Sequence, residues 1–526
     1  MRARYHGEQP TQQQVKSHFR LLKMGQPAPT VGHMFPQLLT DPENLLPVSK
    51  KTVDDLLWLG GAMAEDSSQT ESSIPAAYTY FGQFIDHDIT KTVFDASLIP
   101  PNMHDPLEAA ALSPVPIGDI ARLVFNQRTA PLDLDSLYEG LAKQTIATDG
   151  RFTLSELAPS NFLPIDVADR FHDLPRRPLI PNPVTPKQQE EDRQALIGDP
   201  RNDENLLVAQ LHVAFLRSHN ALIDRGLSFE EAKSALSRRY QWAVLHDFLP
   251  RVCDPGIVSN VLKNGPKFWK AESADELIIP LEFSVAAYRF GHSMIRAVYR
   301  HNSVFGVPPS EPVSATFNFF FTFTALSGDI QPGNGPNEEF ETLPDNWPIE
   351  WHRFFSTDAE PASQNPARRI DTRLTPELGR LRDFQGMPFT TLMGKLATRN
   401  LLRGYLLNLP TGQAVARHIG VQPLGHTALL ESAPIDLKKR FTDAGFLDRT
   451  PLWYYILAEA GDLDGPDGEH LGPVGSTIVA ETFWNLAKFT NESVIDTPPA
   501  AEELATGEFS LRGIIKMGQD KNMISL

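Results

Sequence analysis

The sequence predicts a mainly α protein with few or no β-strands. Apolar residues recur at helical spacing in segments spread along the chain, while the alternation of a half-buried strand is scarce. Hydrophobic residues make up 41% of 526 positions, enough for a large core. No window approaches the roughly 18 consecutive apolar residues of a membrane span; the greasiest run, Phe317 to Thr324, is interrupted by Asn318, Thr322 and Thr324. Length alone would suggest about three or four domains, but large helical enzymes often keep one continuous core. An arm over residues 1–73 that wraps a single helical body over 74–526 is therefore expected.

Residues 1 to about 75 read as an extended, Pro-containing arm with one short apolar-periodic segment, Val53 to Met63, and little regular structure. The stretch from Tyr78 to Thr90 follows and organises the rest. It puts Gln83, Asp86, His87 and Asp88 into an otherwise apolar helix, and such a polar cluster needs a reason. At about 100° per residue, Gln83, Asp86 and His87 share one face, while Asp88 is turned a quarter of the way round. One face can address a buried ligand while Asp88 meets a different partner; the bland reading is a helix with a few satisfied polar residues.

The Pro-punctuated stretch from Pro100 to Pro116 can hardly be regular. In Thr129 to Tyr138, the residues Thr129, Pro131, Asp133 and Asp135 alternate, so an extended loop places them on one side. Carboxylates, a hydroxyl and nearby carbonyls are the hard oxygen donors that calcium takes, although Asp-rich loops are usually solvated turns. Helices are expected over 205–225, ended by Gly226, and over 230–248. Arg201 and Glu204, three apart at the entrance of the first, read by default as a surface charge pair worth little. A helix over 283–299 would bring Arg289 and His292 toward one face, where a lone histidine is more often a hydrogen-bonded core residue than a ligand. Further helices are expected over 390–407, 452–460 and 474–488.

The balance of 48 Lys+Arg against 65 Asp+Glu, a formal net charge of -17, leaves no basic footprint for nucleic acid or for an anionic membrane surface. The start of the sequence has basic residues but no apolar segment after them, so no signal peptide is expected. A single cysteine, Cys253, excludes an internal disulfide framework. A reducing cytoplasm is the default compartment, with secretion by a route lacking an N-terminal signal as the alternative.

Taken together, Gly-Gln-Phe-Ile-Asp-His-Asp at 82–88, Arg-Asn-Asp-Glu at 201–204, Arg-Phe-Gly-His at 289–292 and Asn-Leu-Leu-Arg at 400–403 resemble the animal-type haem peroxidases, most closely the bacterial members. Flanking stretches at 74–80, 343–347 and 471–475 are similar as well, so the likeness runs from about residue 74 to about 485. The resemblance implies a single large helical haem-peroxidase domain. By it, His87 is the distal histidine and His292 the axial ligand of a b-type haem. Asn400 matches the asparagine whose carbonyl accepts the proximal imidazole's other N–H. Arg289 and Arg403 match arginines beside the haem carboxylates. Asp86 and Glu204 match carboxylates that become ester-linked to haem in several vertebrate members. Asn205 stands where one vertebrate enzyme has a methionine that forms a sulfonium link, which puts chloride oxidation in doubt. Asp88, Thr129, the Pro131 carbonyl, Asp133 and Asp135 match the family's calcium site, with Asp135 where serine is more usual.

The mechanism this implies uses hydrogen peroxide as acceptor. His87 would move a proton as a base titrating near neutrality, Arg201 would stabilise charge as the O–O bond breaks, and Gln83 would hold water or halide. A ferryl intermediate would then oxidise halide, thiocyanate or phenolic donors. Two rival readings are a cyclooxygenase-like fatty-acid dioxygenase and a non-catalytic haem-binding or peroxide-sensing protein. The first needs a tyrosine three residues before the proximal histidine, where this chain has Arg289; Tyr288 lies one residue further back. The second has no use for both His87 and Arg201.

Overall fold

A computed structural model describes residues 31–64, 70–99, 105–108, 112–181, 184–305, 314–321, 324, 340–355, 365–381, 392–433, 438–519 and 523. Residues 1–30, which carry the start of the expected arm, lie outside this set. The helices that frame the site are α1 (Lys50–Met63), α2 (Ala77–Ile89), α3 (Leu206–Asp224), α4 (Phe229–Ala243), α5 (Leu396–Leu406), α6 (Leu452–Ala460), α7 (Pro473–Lys488) and α8 (Leu511–Gly518). Strands among the described residues form only two-stranded pairs: Val31–Gly32 with Ile279–Pro280, Glu71–Pro75 with Pro366–Arg368, Thr92–Phe94 with Val124–Asn126, and Val298–Tyr299 with Ala315–Thr316. The protein is thus mainly α. No described helix is long and apolar enough to cross a membrane.

Helix α1 departs from the expected arm. Ser49 caps it by accepting from Thr52 N, and Leu56, Leu59 and Met63 bury one face. Its Gly60 lies so close to α5 that a Cβ there would come 2.4 Å from Thr398 Cα, so only glycine permits this crossing. Helix α2 packs on α3 through stacked Phe84 and Phe215, whose ring centroids lie 4.7 Å apart, and Phe81 adds edge contacts to Tyr240 and Phe248. Asn205 caps α3 by accepting from Val208 N at 3.1 Å. Glu459 of α6 accepts from Val474 N at 2.9 Å at the start of α7, and burial pushes its carboxyl pKa up to about 8. Cys253 is buried, with its thiol pKa raised by that burial.

The helix expected over 283–299 does not form as such. Residues Glu282–Ala286 make a π turn, Ala287–His292 a 3-10 helix, and Val298–Tyr299 a strand. The break falls at Ala286, with φ -126° and ψ -73°. The first turn also carries a tertiary contact. The buried Glu282 carboxylate accepts from Met34 N at 2.8 Å and Phe35 N at 3.4 Å, which ties the first turn to the N-terminal segment. The helix expected over 230–248 likewise passes into a π turn at Val244–Phe248.

Candidate active site

His87 is buried at the end of α2. Its Nδ1 lies 2.8 Å from Asn202 Oδ1, and with the amide turned this way the carbonyl oxygen accepts and the ring proton sits on Nδ1. Nε2 then carries the lone pair, 3.8 Å from Glu204 Oε1. Gln83, one turn back along α2, donates to the same Glu204 oxygen and accepts from Asn205 Nδ2 at 3.2 Å. Gln83 and His87 thus share a face, as the helical period required. Burial brings the His87 pKa down to about 4, the Arg201 charge adds to that, and Glu204, Asp199 and Asp86 only partly offset it. The imidazole is therefore a neutral base across the physiological range, which differs from the expected titration near neutrality.

Arg201 and Glu204 are buried, not the surface pair that their spacing suggested. Arg201 Nε and Nη2 hold Asp199 at 3.0 and 2.8 Å. Nη2 also donates to the carbonyls of His87, at 2.9 Å, and Thr90, at 2.6 Å, the exposed acceptors at the end of α2. Much of the charge expected to serve bond cleavage is spent as a clamp that fixes where His87 sits. Asp199 is held well below the usual carboxylate range: burial opposes its charge, but Arg201, Lys91 and Arg128 overcome that. The segment is anchored from behind by buried Arg176, which bridges Asp203 and Asp173 at 2.7 Å each.

Across the cavity, the 3-10 geometry of Ala287–His292 eclipses residues three apart, so Arg289 and His292 share one side and Tyr288 is turned away by about 120°. His292 Nδ1 lies 3.0 Å from the amide of Asn400 on α5, and Trp453 of α6 meets its ring edge-on at 6.4 Å. The Asn400 atom at this contact is Nδ2, the reverse of the expected carbonyl; a half turn of the amide exchanges the two. Arg289 donates from Nε to Ser284 O at 2.7 Å and points Nη1 toward Asp86 Oδ2 at 3.7 Å. Asp86 also accepts from the Thr90 hydroxyl at 2.8 Å; burial opposes its charge, yet Arg289 and Arg201 keep its pKa low. Gln83, Asp86, Arg289, Phe290 and His292 line one cavity. Gln83 belongs to both halves, since it also touches Glu204 beside His87.

Arg403 donates to Asp105 Oδ2 at 2.9 Å and lies over the Phe94 ring, so it has a carboxylate partner within the chain. Its Nε is buried without an acceptor among the described residues. That orphaned donor and the Arg289 guanidinium fit a carboxylate-bearing ligand. The donor set as a whole, the His292 imidazole lining the cavity and the His87 imidazole joined to it through Glu204 and Gln83, fits haem.

The loop after the third strand pair turns at Leu134, a non-glycine residue in the left-handed region with φ 58°. Asp88 Oδ1 accepts from Ser136 N at 3.1 Å and Oδ2 from Leu134 N at 3.3 Å, which brings Asp88, Asp133 and Asp135 together with carboxylate oxygens within 4.8 Å of one another. The Thr129 hydroxyl lies 2.8 Å from Asp135 Oδ2, while the Pro131 carbonyl accepts from Asp133 N at 3.0 Å. Burial raises the Asp88 and Asp133 pKa values, and the charge of Asp88 adds to the rise at Asp133. Such crowding of hard oxygens fits a divalent cation. Gly198 presses on this loop: a Cβ there would lie 2.5 Å from Ser136 O. Arg128 ties the loop to the clamp, pairing with Asp135, lying 3.7 Å from Asp199, and donating to Asp88 O at 3.3 Å.

The sequence reading passed over Asn202, His212, Asp199, Arg128 and Asp105. Asn202 stood inside a quoted motif and Asp199 two residues from Arg201, whereas Arg128 and Asp105 act through partners distant in sequence.

The same architecture occurs in Peroxidase A from Dictyostelium discoideum, with a TM-score of 0.57 and 17% identity over 90% of this chain and 89% of that one. Fatty acid alpha-dioxygenase of Arabidopsis thaliana superposes with a TM-score of 0.52 and 13% identity, covering 91% of this chain and 76% of that one. These likenesses show the fold. The model of the animal haem peroxidase family matches residues 59–332, and the chain belongs to that family. Among relatives, "Peroxidase-like protein" of Margaritifera margaritifera is 29% identical over 272 residues, 44% of this chain and 33% of that one. Peroxidase mlt-7 of Caenorhabditis elegans is 24% identical over 380 residues, 65% of this chain and 50% of that one. The chain therefore spans a third to a half of these two relatives.

Asp199→Asn leaves the buried Arg201 without its counter-charge, and a loss of about 3–5 kcal/mol in chemical denaturation is expected. A loss below about 1 kcal/mol would mean that the clamp does not depend on this pair.

Proposed function

We propose that the protein is a haem-dependent peroxidase that reduces hydrogen peroxide and oxidises halide, thiocyanate or phenolic donors. The observation that carries this reading is the His87 arrangement: a buried imidazole whose proton is engaged at Nδ1 by Asn202, leaving Nε2 as a base beside Gln83 and Glu204. His292, oriented by Asn400, would be the iron ligand, with Arg289 and Arg403 pairing the haem carboxylates and Asp86 and Glu204 forming its esters. Asp88, Thr129, the Pro131 carbonyl, Asp133 and Asp135 would hold calcium. When bound, haem supplies the redox chemistry, taking two electrons' worth of oxidation from peroxide and passing it to donors.

The chain's own part is acid–base and positional work. His87 Nε2 takes a proton from one peroxide oxygen and returns it to the other as that departs as water. Arg201 holds the end of α2 so that this nitrogen keeps its place, and Gln83 offers its amide to water or halide. The second reading, a fatty-acid dioxygenase, draws support from Tyr288, which lines the cavity with His292. Against it, the Tyr288 hydroxyl already donates to Gly82 O at 3.2 Å, and its ring stacks on Phe283.

His87→Ala is expected to lower the second-order rate with peroxide by about 10² to 10⁴-fold, measured by stopped flow, while the donor KM stays within about twofold. Oxygen uptake on a fatty acid without added peroxide would transfer the assignment to the second reading. Acid-acetone extraction followed by mass spectrometry is expected to leave haem on the chain and to release it from Asp86→Val/Glu204→Gln; free haem from the unaltered protein would remove the esters. Chelation is expected to lower the unfolding midpoint by several degrees, reversed by calcium and abolished in Asp133→Asn. An unchanged midpoint would remove the calcium site.

A further inference from the structure

Two acceptors compete for the single proton of neutral His87. Asn202 Oδ1 stands 2.8 Å from Nδ1, a normal hydrogen bond, while Glu204 Oε1 stands 3.8 Å from Nε2, beyond hydrogen-bonding range. The nearer acceptor wins, and Nε2 keeps its lone pair. If Asn202 were absent, or turned over so that its Nδ2 faced the ring, the proton would belong on Nε2, drawn toward the Glu204 carboxylate. The base would then be blocked at the atom that must act.

The other end of the Asn202 amide meets a second histidine. Its Nδ2 lies 3.0 Å from Nδ1 of His212 on α3, so the amide donates there and His212 accepts. His87, Asn202 and His212 are all buried, so water has no ready access to substitute for a lost partner. His212 itself stays neutral, its pKa lowered to about 3 by burial. With Nδ1 accepting, its proton resides on Nε2, which has no acceptor among the described residues. The directions of both hydrogen bonds are therefore coupled: one amide, with one donor end and one acceptor end, fixes the tautomers of two histidines on two different helices.

We infer that Asn202 is a positioning residue that selects the His87 tautomer with Nδ1 protonated, and that through its other end it couples this tautomer to that of His212. The inference rests on the peroxidase reading for its kinetic consequence but not for its structural one. The tautomer can be read without turnover from the ¹⁵N and ¹³C imidazole shifts of the labelled full chain as purified, reduced and under carbon monoxide. His87 is expected with the proton on Nδ1. Asn202→Leu, which keeps the bulk and removes the acceptor, is expected to move that proton to Nε2 and to slow the peroxide step about a hundredfold with the donor KM unchanged. Asn202→Asp restores an acceptor oxygen and is expected to return the Nδ1 tautomer and the rate to within about fivefold of the unaltered protein. His212→Phe is expected to fall between the two. A His87 proton on Nε2 in the unaltered protein, an Asn202→Leu rate within about threefold of normal, or an Asn202→Asp variant as slow as Asn202→Leu would each overturn the inference. If the unaltered protein shows the Nδ1 tautomer but no peroxidase turnover, the functional reading fails and the tautomer assignment stands.

Discussion

The site is organised by one buried guanidinium. Arg201 joins two segments far apart in sequence: its own, with the Asp199 carboxylate, and the end of α2, which carries the imidazole of His87. A helix end leaves acceptors unsatisfied, and in a dry interior that is costly. A fixed cation removes the cost and sets the position of the helix at the same time. Arg176 holds the same segment from below, and Arg128 holds it from the side facing the carboxylate loop. Burial of so many charges is tolerated because each meets an opposite charge at close range.

This arrangement changes how the distal residues divide the labour. An arginine already engaged by Asp199 and two carbonyls contributes precision first and field second. His87 is left as a weak, neutral base in a fixed tautomer, held by neighbours that are themselves fixed. The proximal wall is built on a different principle. There a π turn and a 3-10 helix replace a regular helix, and the tighter winding aligns Arg289 with His292 on one side. The π turn is tied to the N-terminal segment by the Glu282 carboxylate, which accepts from Met34 N.

The helical class and the face shared by Gln83 and His87 were legible because both follow from local periodicity, which sequence displays directly. The grouping of Asp88 with Asp133 and Asp135 was legible from residue chemistry and resemblance. Burial of Arg201 and Glu204 was not, since charges at a helix entrance are ordinarily solvated and the acceptors that bury Arg201, the His87 and Thr90 carbonyls, lie more than a hundred residues away. The helix expected over 283–299 kept its apolar spacing and still broke at Ala286, where no residue type in the segment marks a stop. Asn202 and His212 were invisible as a pair for the same reason: an amide's direction depends on what stands at both of its ends, and no pattern in either segment encodes that.

The two imidazoles differ in when their supports exist. His87 meets Asn202 across 115 positions and His292 meets Asn400 across 108, so the supports arise in succession as the chain is made. A ribosome adding roughly 5–20 residues each second completes the first partnership well before the second. The nascent polypeptide thus carries both members of the His87–Asn202 pair for about 10 to 40 seconds before α5 is made, and a ligand that needs both pairs can be captured only in the last third of synthesis.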